Sequence, residues 1–422
     1  MFRKFIKPMA LDKKVRKRKL RLIPFFVLAV IISYFYLGFF QFSNWLNFSD
    51  TQSSLSILDY LLWFFITFYL SLTIHELGHF FSFVFQKVKL RALYITIFVF
   101  HKTIKGWRFA IKPKLIVLLG GLVVPDFGDV KNEEEYNKVV NKFSKALIAA
   151  PIVTICFLTI TIITFILLIA LVPNTPWLGI SFMIMLFAIP INLLFIYSFT
   201  LSNPMFYGDF VAYKKIKTDA IFALSMIIQY SIFTLNDSEE SDHFLWEKSR
   251  NILKEIQISS SQFHTMILLN YMDGIIRRDE KFDHEVDIKI NRIPIRKYLK
   301  NEQGLNLVYD IACYHYFNGN VDRAYKLYDD IQKLVSDKLD EKMLRYYKNK
   351  YMHILNIEYQ DQFLSNKDNY YIGNNWIFDI LVDPYEMLKA HHEKLPFREY
   401  STPVQIEEIE VLNEEEQKSD SN

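Results

Sequence analysis

The sequence predicts an all-α membrane protein with about four transmembrane helices and a small β-hairpin, followed by a mainly α-helical soluble domain of tetratricopeptide-like character. Three observations predict it. Half of the 422 residues are hydrophobic, 38 of them phenylalanine, and the runs long enough to cross a bilayer all fall in the first half of the chain. The first 21 residues hold ten Lys or Arg against one acid, Asp12, directly before apolar sequence begins, the pattern of a cytoplasmic anchor. From Thr218 onward the chain turns polar, with apolar residues at helical spacing in segments such as 244–256, 262–276 and 341–357.

These shifts divide the chain into a basic cytoplasmic arm (1–21), a membrane-embedded domain (22–215), a cytoplasmic helical domain (216–402) and an acidic tail (403–422). In the tail seven acids face only Lys418, a composition that favours disorder. The expected spans are 22–40, 55–85, 146–172 and 177–201, the last interrupted by Pro190. Loop 41–54 carries no Lys or Arg and belongs outside, whereas Lys87, Lys89 and Arg91 mark the inner end of the second span. A multi-pass protein of the cell membrane, with both termini in the cytoplasm, follows. Nucleic acid is not an expected partner of the basic arm, because apolar sequence starts straight after Arg21. Cys156 and Cys313 fall in different halves, so no disulfide framework is expected.

Within the second span lies Thr73-Ile74-His75-Glu76-Leu77-Gly78-His79, where the only other charged side chain is Asp59. Each ionisable group at bilayer depth costs roughly 2.5–3.5 kcal/mol on insertion scales. A sequence seldom keeps such groups idle. His75 and His79 stand four residues apart on one helix face, where two imidazoles can hold one Zn²⁺. Glu76 beside them is the expected base, taking a proton from a water whose acidity the metal raises and passing it to a leaving amine. Counting back from Lys87 puts His79 about 12 Å below the cytoplasmic surface.

After this span come two β-prone runs, 92–100 and 107–112, around a turn-like 101–106, which read as a hairpin. An edge strand there can hold an extended peptide by β-augmentation; a structural membrane-surface hairpin is the competing reading. Residues 115–125 are too short to span and read as re-entrant or interfacial. The small stretch Ala149-Ala150-Pro151 permits close helix approach. The fourth span ends inward at Ser202-Asn203-Pro204, and Asp209 follows on the same membrane face as the histidines. A two-histidine zinc site needs a further protein ligand, and Asp209 is the best candidate, with Asp126 or Asp129 as substitutes. Asn203 is a candidate for holding the substrate strand or a developing oxyanion, or else a helix cap.

These pieces together resemble the site-two protease family of intramembrane zinc metalloproteases. The resemblance covers roughly residues 55–215 and lies in His75-Glu76-Leu77-Gly78-His79, the hairpin, Ala149-Ala150-Pro151, and Asn203-Pro204 with Asp209 five residues after the proline. It implies that His75, His79 and Asp209 bind zinc and that Glu76 is the catalytic base. The chain reads as a divergent member: Gly208 precedes the aspartate where the family has glycine after it, and Asn203 adjoins Pro204. Many relatives carry a PDZ domain, for which the 14-residue loop 41–54 leaves no room.

In the helical domain, Ile311-Ala312, Gly319, Ala324 and Tyr328 have the spacing of one tetratricopeptide-type helical hairpin, whose concave face would bind a peptide or partner protein. Residues 221–235 are apolar and read as a core helix rather than a surface-lying one. His391-His392 are adjacent, cannot share a helix face, and read as solvated. Two functions are then in play. The first is an intramembrane zinc endopeptidase acting on a transmembrane segment or a small hydrophobic peptide precursor. The second is a membrane receptor, immunity or scaffold protein with a vestigial zinc site, against which the intact Glu76 argues, since a structural site needs no base.

Overall fold

The computed structural model describes residues 57–103, 106–118, 120–172, 175–203, 206–234, 238–278, 280–336, 339–369, 371 and 380–381. The basic arm, the expected span at 22–40, the loop at 41–54, His391-His392 and the acidic tail lie outside the described residues. Those described form two compact units. One holds the residues up to Gly78 with Ala149–Thr200, and the other holds His79–Ile148 with those from Leu201 onward.

The first unit is built from parts of three helices, α1 (Ile57–Phe85), α2 (Glu133–Leu171) and α3 (Pro176–Ser198). All three are long and apolar enough to cross a membrane. Their shared core joins Phe165 of α2 to Phe182, Leu186 and Phe187 of α3, with Tyr60, Trp63 and Phe68 of α1 packed against it. Leu58, Phe65, Ile160, Ile163, Ile166 and Trp177 point outward and exposed, as helices solvated by hydrocarbon require. Gly78 lets α1 and α2 touch: a Cβ there would lie 2.6 Å from the Ala150 Cα. The small residues at 149–150 serve the expected close approach.

Contrary to expectation, α3 continues unbroken through Pro190. Proline leaves the carbonyl one turn back without its helical donor, and this stretch is tied to α1 by the neighbouring Asn192. Its fully buried amide donates to the Ala188 carbonyl (2.7 Å) and to Ser71 Oγ on α1 (3.1 Å).

In the second unit the hairpin proves to be a four-stranded antiparallel sheet: β1 (Lys89–Ile95), β2 (Phe98–Thr103), β3 (Gly106–Ile111) and β4 (Gly121–Asp126), in the order β3-β2-β1-β4. The run at 92–100 is not one strand, because Thr96 adopts φ +47° and turns the chain so that Ile95 pairs with Phe98. Residues 115–125 are not re-entrant. They form a 3₁₀ turn (Pro113–Leu118) and then β4, which satisfies the second edge of β1. Val123 and Val124 suit a strand and are buried there.

Beyond the membrane helices come a two-residue ribbon, β5 (Ser202–Asn203) with β6 (Phe206–Tyr207), and then α4 (Asp209–Thr218) and α5 (Ala220–Ser231). The α5 helix is capped by Asp219, whose carboxylate accepts from the Phe222 N–H, and it buries Phe222, Leu224, Ile227, Ile228 and Tyr230 as a core helix. Tyr230 meets Phe127 and Phe143 edge-on, and Phe143 stacks on Phe83 near the end of α1. Next follow α6 (Glu239–Glu255), α7 (Gln262–Arg278), α8 (His284–Asn291), α9 (Glu302–Phe317), α10 (Val321–Leu334), α11 (Glu341–Ile354) and α12 (Asp361–Ser365). The expected helical hairpin is α9–α10, turned by Asn318-Gly319-Asn320 with Gly319 at φ +77°, a conformation that glycine adopts without a Cβ penalty.

Candidate metal centre

The centre begins on α1. The helix is unbroken from Ile57 to Phe85, so His75 and His79 share one face, one turn apart. Both rings are held from behind by α2, on which Ala146, Ala150 and Thr154 recur every four residues and therefore share a face. His79 Nδ1 is 2.8 Å from the Ala146 carbonyl. A carbonyl only accepts, so Nδ1 carries the proton and Nε2 keeps its lone pair.

The same result holds for His75 through one more link. The Thr154 hydroxyl donates to the Ala150 carbonyl (3.0 Å), so its oxygen must accept from His75 Nδ1 (2.9 Å). His75, like His79, then carries its proton on Nδ1. Phe199 stacks on the His75 ring at 4.7 Å and 12°, fixing its plane. A metal-binding histidine is held in this way, its Nδ1–H donated to an outer acceptor so that Nε2 is the ligating nitrogen.

The carboxylate arrives from a distant segment. Asp209 is the first residue of α4, where the helix N-terminus favours negative charge. Ahead of it, the β5–β6 ribbon folds back so that the Gly208 N–H bonds the Leu201 carbonyl (2.9 Å). Tyr207 is wedged against Phe222 and Phe263, each 4.9 Å away, while Ala212 and Ile216 bury the inner face of α4. The helical domain thereby fixes where Asp209 stands. Its Oδ2 lies 3.6 Å from His79 Nε2.

One donor atom from each of His75, His79 and Asp209 lies within 4.8 Å of the others. Tetrahedral zinc, with bonds of about 2.0–2.2 Å, sets neighbouring ligand atoms about 3.4 Å apart. The donor set suits that ion, and the 3.6 Å between His79 Nε2 and Asp209 Oδ2 comes near that spacing. Glu76 belongs to the same turn and is 4 % exposed, beside His75 at 6 %.

The substitutes for Asp209 are engaged elsewhere. Asp126, at the end of β4, accepts from the Gly128 N–H (3.2 Å) and faces Arg91, and Asp129 pairs with Lys131 at 3.5 Å. Asn203 does not cap α3, which ends at Ser198; it lies exposed in β5, paired with Phe206. Sequence reasoning missed Thr154 and Phe199. The four-residue recurrence of Ala146, Ala150 and Thr154 was the available signal for the first; nothing local marked the second.

A family model described as Peptidase family M50 matches residues 63–366, from α1 through α12. Comparison with curated proteins and with solved structures gives no match.

Proposed function

The chain belongs to peptidase family M50, and from that premise we propose that it is an intramembrane zinc metalloprotease that hydrolyses a peptide bond in a transmembrane segment or a small hydrophobic peptide precursor. Members of this family are membrane-embedded zinc metalloproteases. The single observation carrying the proposal is the buried Glu76 on the same helical turn as two imidazoles held through Nδ1, one of which turns its Nε2 toward the Asp209 carboxylate at 3.6 Å.

In this reading His75 and His79 through Nε2, and Asp209 through its carboxylate, hold the zinc. The metal, when bound, supplies Lewis acidity toward water and the scissile carbonyl. The Glu76 carboxylate accepts the proton that the attacking water gives up and delivers it to the amine nitrogen as the C–N bond breaks. Thr154 and the Ala146 carbonyl keep both imidazoles in the tautomer that leaves Nε2 unprotonated. Asn203, exposed beside the approach to Asp209 in sequence, is suited to hold an extended substrate or its developing oxyanion. The edge strand β3, exposed at residues 107–109, offers backbone groups for β-augmentation. A receptor or scaffold with a vestigial site would need the metal ligands but not Glu76.

The test compares wild type with Glu76→Gln in cells and in reconstituted vesicles. The variant should retain zinc in metal analysis while a peptide precursor accumulates in its membrane proteome. Undiminished turnover of every precursor in the Glu76→Gln cells would remove the assignment.

A further inference from the structure

The helical domain contains a cleft of about 630 Å³, lined by residues of α5, α6, α7, α9 and α11. One wall is apolar, with Ile228, Ile232, Met266, Leu269, Ile276 and Ile354. At the other side its charges fall into two groups. Arg277 and Arg278 have carboxylates beside them: Arg277 Nε lies 2.7 Å from Asp273, and Arg278 reaches Asp242 (3.4 Å) and Asp273 (3.6 Å).

Lys350 and Asp310 are different. The Lys350 ammonium sits 5.3 Å from the centre of the Tyr351 ring, and among the described residues no carboxylate comes within ion-pair reach of it. Among the described residues the Asp310 carboxylate takes hydrogen bonds from neutral donors, the Asn306 amide (2.9 Å) and the Tyr351 hydroxyl (2.8 Å). Lys350 on α11 and Asp310 on α9 both line the cleft, and each feels the other's charge. Burial holds Lys350 below its ordinary range and raises Asp310 to about 6, the condition of charges lacking their full complement of partners.

We propose that this cleft binds an extended peptide segment, with one peptide unit bridging the two charges: its carbonyl accepts from the Lys350 ammonium and its N–H donates to the Asp310 carboxylate. The chemistry selects this ligand. The carbonyl and N–H of one peptide unit point in opposite directions and match a cation and an anion set apart, while apolar side chains rest on the Ile228–Ile354 wall. The volume falls within the range of sites that take ligands of several residues and far exceeds that of one free amino acid. This names what the helical domain takes, and it stands whether or not the chain cleaves anything.

The test uses the full-length chain in detergent micelles against an immobilised array of random 12-residue synthetic peptides. The strongest binders are then fluorescein-labelled for anisotropy titration. Lys350→Met and Asp310→Asn should each raise Kd at least tenfold. Ile232→Lys should raise it several-fold; that side chain is 63 % exposed, so the substitution spares the fold and decides the matter alone if the other two unfold. The proposal is overturned if no peptide binds wild type, if affinity is the same in every folded variant, or if free leucine displaces the peptides at equal concentration.

Discussion

Thr154→Val tests how the centre is oriented without touching a metal ligand. The Thr154 oxygen accepts from His75 Nδ1 at 2.9 Å while its proton is committed to the Ala150 carbonyl. Replacing the hydroxyl by a methyl keeps the β-branched shape and strands a buried imidazole N–H, a cost of about 1–3 kcal/mol. The ring can recover that energy only by rotating or changing tautomer, and either takes Nε2 away from the metal position. Loss of such an outer partner lowers metal affinity about 10–100-fold, equivalent to roughly 1.4–2.7 kcal/mol. Competition with a chromophoric zinc chelator in micelles measures it directly. Thr154→Ser, which retains the hydroxyl, should restore most of the affinity. Wild-type zinc binding in Thr154→Val, or an equal loss in Thr154→Ser, would refute the tautomer argument.

Asp209→Ala should weaken zinc binding in the same chelator assay, whereas Asp126→Asn and Asp129→Asn should leave it unchanged; the reverse order would reassign the third ligand. Gly78→Ala places a methyl 2.6 Å from the Ala150 Cα, so the helices must separate, and unfolding in detergent should show a loss of about 1–3 kcal/mol. Asp287, in the soluble helices, is raised by burial from 3.8 to about 6 despite the Asn291 amide on its carboxylate. A carboxyl whose folded pKa is raised opposes folding when charged, so its penalty is full above about pH 6 and disappears below about pH 4. Asp287→Asn should therefore stabilise by about 1–3 kcal/mol near pH 7.5 and have little effect near pH 4. Urea titrations at the two pH values check this, and equal effects at both would contradict it.

Features set by local spacing were readable from the sequence. The apolar runs of α1, α2 and α3, the four-residue step from His75 to His79, and the small-residue turn between α9 and α10 each depend on neighbours in the chain, through helix periodicity and backbone preference. The nearness of Asp209 to His79 was anticipated one level higher, from the expected alternation of spans. What required the tertiary structure were relations between segments far apart in the chain: β4 closing the free edge of β1, Thr154 choosing the tautomer of His75, Tyr207 anchored on Phe222 and Phe263 to set Asp209, and Lys350 and Asp310 lining one cleft. Hydrogen-bond partners and uncompensated charges are properties of a packed interior, where water no longer satisfies each group by itself, so no reading of one segment at a time contains them.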